Sequence, residues 1–217
     1  MTCVFIPGFG FTSALSEMLP MPCIGLNYQQ YSLYEELDDL LQHYHTIIPK
    51  NATMIAWSLG GLLAILFCAR FNTHCNKLIL LASTPAFIQN DDWPGISLES
   101  AMATYQCLQH NTASRFLSLV TYPHCSRSFI KKLNYYFSMP SLQDVQFLYQ
   151  TDLRELFSQL ELPIELYLAE HDAILPSQQL MPACLALNDQ CKVTLIKNGS
   201  HAFFLQQPEF FKEMHIT

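Results

Sequence analysis

The chain has 217 residues, the length of one domain with a large buried core. Half of its residues are hydrophobic and 13% are charged, which excludes a disordered chain. Its formal net charge of −7 argues against general nucleic-acid binding.

The eight cysteines include no C-x-x-C pair, so neither a zinc site nor any other metal site is expected. They read as reduced thiols of a cytoplasmic protein; a disulfide framework is not favoured at this length. The opening MTCVFIPGFG lacks the basic and apolar regions of a signal peptide. The charge-free stretch between Lys50 and Arg70 has nearly membrane-spanning length, but its paired glycines and central serine fit a tight turn better, and no membrane association is expected.

In chain order, Cys3 to Ile6 predicts a strand that breaks at Pro7-Gly8-Phe9-Gly10. Ile24 to Tyr28 predicts a second short strand. Leu33 to Tyr44 has the apolar spacing of an amphipathic helix, with Glu35 and Glu36 in its first turn. Thr53 to Arg70 then reads strand, sharp turn, helix. Its strand is almost wholly apolar, as expected for a strand covered on both faces. Ala56-Trp57-Ser58-Leu59-Gly60 is the G-x-S-x-G nucleophile elbow with alanine for the first glycine.

Lys77 to Ala82 predicts another buried strand, and strand, helix, strand at this spacing gives a parallel sheet. From Pro85 to Gln150 the pattern is helical, with helices expected over 97–109, 113–120, 127–137 and 142–149. Ile164 to Leu168 and Lys192 to Ile196 resume the sheet around a helix from Ser177 to Leu187. A last helix is expected near Pro208. The expectation is an α/β-hydrolase fold: a mostly parallel sheet of about six strands flanked by helices. Residues 1–84 and 151–217 form the core, and 85–150 form an inserted helical cap.

Ser58, Asp172 and His201 fall just past strand ends, in the order serine, acid, histidine. That is the chain order of α/β-hydrolases, and ligands in open α/β sheets bind at the carboxyl ends of strands. A serine hydroxyl becomes a useful nucleophile when an imidazole takes its proton, and the imidazole needs a carboxylate to hold its tautomer. The oxyanion donors would be the backbone N–H groups of Phe9 and Leu59. Asp152 is the rival acid, although it fits a helix N-cap, with Glu155 completing a capping box.

The segments Trp57-Ser58-Leu59-Gly60-Gly61, Leu81 to Phe87, Asp92-Trp93-Pro94-Gly95-Ile96, Arg115 to Leu119, Lys131-Lys132 and Thr151 to Arg154, with the Asp172 and His201 loops, carry a resemblance. The chain resembles the pimeloyl-ACP methyl ester esterases of biotin synthesis, which are α/β-hydrolases with a four-helix cap. The resemblance implies hydrolysis of a methyl ester on an acyl group held by acyl carrier protein. It places Phe9 where that family has a tryptophan. It implies an acyl channel lined by Phe116, Leu117, Ser118, Leu119 and Val120. It also implies basic cap residues that hold the acidic carrier. This sequence departs from the family at Pro7 and Ala56, and its sheet is expected to start at the strand before Pro7 without the family's N-terminal hairpin.

Charge supports a carrier independently. Residues 101–143 contain no acid but include Arg115, Arg127, Lys131 and Lys132. Cations gathered on one segment of an acidic protein suit an acidic partner. No cofactor is implied, and a monomer is expected. The competing readings are a broad small-ester carboxylesterase, another enzyme of the same fold such as a carbon–carbon hydrolase, and a hydrolase-fold binding protein without catalysis.

Overall fold

Six parallel strands hydrogen-bond side by side in a computed structural model that describes residues 2–33, 35–110 and 113–213. They are β1 (Cys3–Ile6), β2 (Cys23–Gly25), β3 (Ala52–Trp57), β4 (Cys75–Leu81), β5 (Ile164–Ala169) and β6 (Cys191–Ile196). The order across the sheet is β2-β1-β3-β4-β5-β6, and every pairing is parallel. Parallel neighbours require crossovers, and helices supply most of them. These helices are α1 (Leu37–Ile47) between β2 and β3, α2 (Leu59–Arg70) between β3 and β4, and α8 (Ser177–Leu187) between β5 and β6. A 3₁₀ turn at Ser13–Met18 links β1 to β2, where the sequence shows no helical period.

β1, most of β3 and the second half of β4 read as apolar runs because both sheet faces are covered there. Val4, Ile6, Met54, Ala56, Leu78 and Leu80 point to one layer, packed under α1, α2 and α8. Phe5, Ile55, Trp57, Ile79 and Leu81 alternate to the opposite layer, against Phe203, Phe204, Phe210 and Phe211. Those phenylalanines belong to α9 (Phe203–Gln206) and α10 (Phe210–Glu213), the second of which follows Pro208 as expected.

Between β4 and β5 run α3 (Leu98–His110), α4 (Ser114–Thr121), α5 (Arg127–Tyr135) and α6 (Leu142–Gln150), each within two residues of its predicted bounds. The insertion's ends meet: Ala86 pairs with Asp152, and Leu153 N–H donates to the Pro85 carbonyl at 2.9 Å. The short α7 (Arg154–Ser158) then leads back to β5.

The helix expected over Leu33 to Tyr44 starts later, at Leu37, with Asp38 and Asp39 in its first turn. Of the expected span, Tyr34 lies outside the described residues. The cause is a local exchange in which Glu35 N–H donates to Ser32 Oγ at 3.1 Å and Ser32 N–H donates to Glu36 Oε2 at 2.8 Å. That closes a separate turn and uses Glu35 and Glu36 before the helix begins. All eight cysteines lie among the described residues, and none is in a disulfide. Among the described residues no helix is long and apolar enough to cross a membrane.

Candidate active site

Ser58 sits where β3 turns into α2, at φ 52° and ψ −123°. A positive φ at a non-glycine residue costs about 1–3 kcal/mol and persists only where the surroundings enforce it. Three hydrogen bonds do so. Ser58 N–H donates to the Leu81 carbonyl at 3.0 Å, while the Ser58 carbonyl accepts from Ser83 Oγ at 2.7 Å and from Gly61 N–H at 2.8 Å. The Ser58 side chain does not cap α2, so its hydroxyl is not consumed by the helix N-terminus. A Cβ at Gly60 would lie 2.5 Å from the Pro7 carbonyl oxygen and 2.6 Å from that of Ile6, so only glycine lets the elbow pass the end of β1.

Asp172 and His201 follow β5 and β6. Their side chains are 0% and 2% exposed, and Oδ2 of Asp172 lies 2.8 Å from Nδ1 of His201. The other oxygen, Oδ1, accepts from Ile174 N–H at 2.8 Å and Leu175 N–H at 2.9 Å. Both carboxylate oxygens are therefore fixed. A carboxylate against Nδ1 makes that nitrogen the donor and leaves the lone pair on Nε2. Trp57 Nε1 donates to the His201 carbonyl at 3.0 Å, which ties the histidine loop to the elbow strand.

The rival acid is placed elsewhere. Asp152 holds Arg154 through both carboxylate oxygens, at 2.9 and 2.6 Å among others, and also accepts from Arg154 N–H. The expected capping box with Glu155 does not form, because α7 is capped at Leu153 without a side-chain bond. The guanidinium beside Asp152 holds its carboxyl below the usual carboxylate range. Arg154 also stacks over Trp93, 5.5 Å from the ring centroid, so this cluster braces the insertion's two ends.

The loop Pro7 to Gly10 turns through a Phe11 N–H to Gly8 carbonyl bond of 3.0 Å, with Gly10 at φ 77°. It lies against the elbow: a Cβ at Gly8 would be 3.1 Å from the Ser58 Cβ. Leu59 is the first residue of α2, so its N–H lies outside the intrahelical ladder. Ser58 and Phe9 together line a cavity of about 120 Å³, whose other walls include Phe87, Ile96, Phe116, Leu119, Val145 and Ile174. The cavity is apolar apart from a few hydroxyls, as suits an aliphatic chain. It shares Thr104, Phe116 and Leu119 with an outer groove of about 310 Å³ lined also by Arg115 and Cys107.

Of the five residues assigned to an acyl channel, Phe116 and Leu119 line this cavity. Leu117 and Val120 instead enter the core under α4, and the Ser118 hydroxyl donates to the Ser114 carbonyl at 2.8 Å. A helix turns about 100° per residue, so five consecutive side chains cannot share one wall. Arg115, Arg127, Lys131 and Lys132 are all exposed, Arg115 on α4 and the others on α5. Ser83, Trp57 Nε1 and Ile174 also build the site, although the sequence pattern does not single them out. Ile174, two residues past the acid, was the most accessible of these to a positional argument.

A protein of Pseudoalteromonas atlantica named pimeloyl-[acyl-carrier protein] methyl ester esterase is 29% identical over 97% of this chain and 80% of its own length. A protein of the same name from Pectobacterium atrosepticum is 27% identical over 99% of this chain and 81% of its own. Among solved structures, an esterase from Exiguobacterium antarcticum superposes with a TM-score of 0.85 at 17% identity, covering 98% of this chain and 90% of that one. A hydrolase from Oleispira antarctica superposes at 0.80 and 15% identity, over 95% and 86% of the two chains. These superpositions speak for the fold. The sequence pattern of the alpha/beta hydrolase family matches residues 6–214, and the chain belongs to that family.

Proposed function

We propose that this protein is a cytoplasmic serine carboxylesterase that hydrolyses the methyl ester of pimeloyl-ACP in biotin synthesis. The observation that carries the reading is the buried Asp172–His201 pair, tied to the elbow strand by the Trp57 Nε1–His201 carbonyl bond, together with a strained Ser58 that opens into an apolar cavity. The names of the relatives supply the substrate class.

In this reading His201 Nε2 takes the Ser58 proton as Oγ attacks the ester carbonyl. Asp172 holds the Nδ1–H tautomer and stabilises the imidazolium that forms. The N–H groups of Phe9 and Leu59 receive the negative oxygen of the tetrahedral intermediate. His201 then gives that proton to the departing methoxide oxygen, which leaves as methanol. Water, activated by the same imidazole, cleaves the acyl-enzyme and frees the carboxylate. The acyl chain lies along Phe116 and Leu119, and residues 85–150 act as a cap over the strand ends. The chain's far end leaves through the outer groove past Arg115. The carrier's acidic surface meets Arg115, Arg127, Lys131 and Lys132.

The test compares a carrier-bound methyl ester with a small free ester. Arg115→Ala is expected to lower kcat/KM on the carrier-bound substrate by about tenfold at low salt and less at high salt, because exposed charges are screened. The free ester should change by less than about twofold. Equal losses on both substrates would contradict carrier docking at this face.

A further inference from the structure

We infer that the hydroxyl of Tyr28, in the loop after β2, is a positioning group that aims the Phe9 N–H at the oxyanion. The inference rests on the serine-esterase reading above and adds to it the residue that orients one donor.

The Gly8 carbonyl and the Phe9 N–H belong to the same planar trans unit and point in opposite directions. Holding one therefore aims the other. Tyr28 Oη donates to the Gly8 carbonyl at 2.9 Å, and Phe11 N–H donates to the same oxygen at 3.0 Å. The next peptide is held as well, because Gly10 N–H donates to Tyr28 Oη at 3.2 Å. One phenol thus grips the carbonyl before Phe9 and the N–H after it, and both bonds are buried. Tyr28 itself is 0% exposed, so no solvent competes for its hydroxyl. The gripped peptide is the one beside the nucleophile, with a Cβ at Gly8 placed 3.1 Å from that of Ser58. Donors to a peptide carbonyl also polarise that peptide's N–H, which strengthens the oxyanion bond.

Loosening this grip affects the tetrahedral oxyanion more than the bound ester, because the donor matters most where charge develops. Tyr28→Phe is therefore expected to lower kcat on p-nitrophenyl acetate by about tenfold with KM within about twofold. Affinity for a trifluoromethyl ketone, whose serine adduct carries the same oxyanion, should fall by a like factor. Rates are normalised to folded sites by endpoint titration with a fluorophosphonate. The control is Tyr44→Phe. Tyr44 is a neighbouring buried tyrosine whose hydroxyl makes no hydrogen bond among the described residues, and its removal should leave kcat and inhibitor affinity unchanged.

Wild-type kcat and inhibitor affinity in Tyr28→Phe would overturn the inference, as would an equal loss in Tyr44→Phe. If wild type and Ser58→Ala both failed to turn over any ester, the esterase reading would fall and this inference with it. An active wild type beside an unimpaired Tyr28→Phe removes only the role of Tyr28.

Discussion

Ser58→Ala is expected to lower kcat on any ester by about 10⁴-fold or more, leaving only what the oxyanion donors and binding contribute. The structure makes this a clean substitution. The Ser58 hydroxyl does not cap α2, and the elbow is held through the Ser58 backbone, by Leu81, Ser83 and Gly61. Alanine keeps all of those bonds. The change in stability should therefore stay below about 1 kcal/mol, so lost turnover reports lost chemistry rather than unfolding. Steady-state kinetics with a thermal melt on the same preparation checks both halves. Residual turnover near wild type in a folded Ser58→Ala would remove Ser58 from the mechanism.

The second large effect belongs to Asp172→Asn, expected to lower kcat by about 10⁴-fold with KM little changed. The amide can still accept from Ile174 and Leu175 through its oxygen, so the loop keeps its shape. Its NH₂ group then faces His201 Nδ1 across the 2.8 Å contact. Two donors cannot share that contact, so the imidazole moves its proton to Nε2 and loses the lone pair that accepts the Ser58 proton. Asp152→Asn is the matched comparison. Asp152 is bound to Arg154 and lines a separate groove with Asp92 and Trp93, so its loss should change kcat by less than about twofold. A larger effect at Asp152 than at Asp172 would reverse the assignment of the acid.

The sequence made the sheet readable because both of its faces are covered. Ala52–Trp57, buried throughout, is apolar at every position but Thr53, whose hydroxyl donates to Asn76. Ser58, Asp172 and His201 stand out as candidates for a related reason, as polar residues placed just past strand ends. What could not be read depends on side-chain direction and on distant pairing. Phe116 and Leu119 face the cavity while Leu117 and Val120 face the core, a division that follows from helix rotation once the position of α4 is known. Tyr28 lies 20 residues from Gly8 in a loop without periodicity, so only the folded chain joins its hydroxyl to that carbonyl. The late start of α1 had a local cause: the Ser32 hydroxyl takes the Glu35 N–H while the Glu36 carboxylate takes the Ser32 N–H.

The most direct test of the account is intact-mass analysis of methyl-pimeloyl-ACP after incubation with the protein, with Ser58→Ala as control. The account predicts loss of one methylene from the carrier species, with the acyl group still attached to the carrier, and no change with Ser58→Ala. A carrier left unchanged while the protein rapidly hydrolyses a small test ester would contradict the assigned substrate.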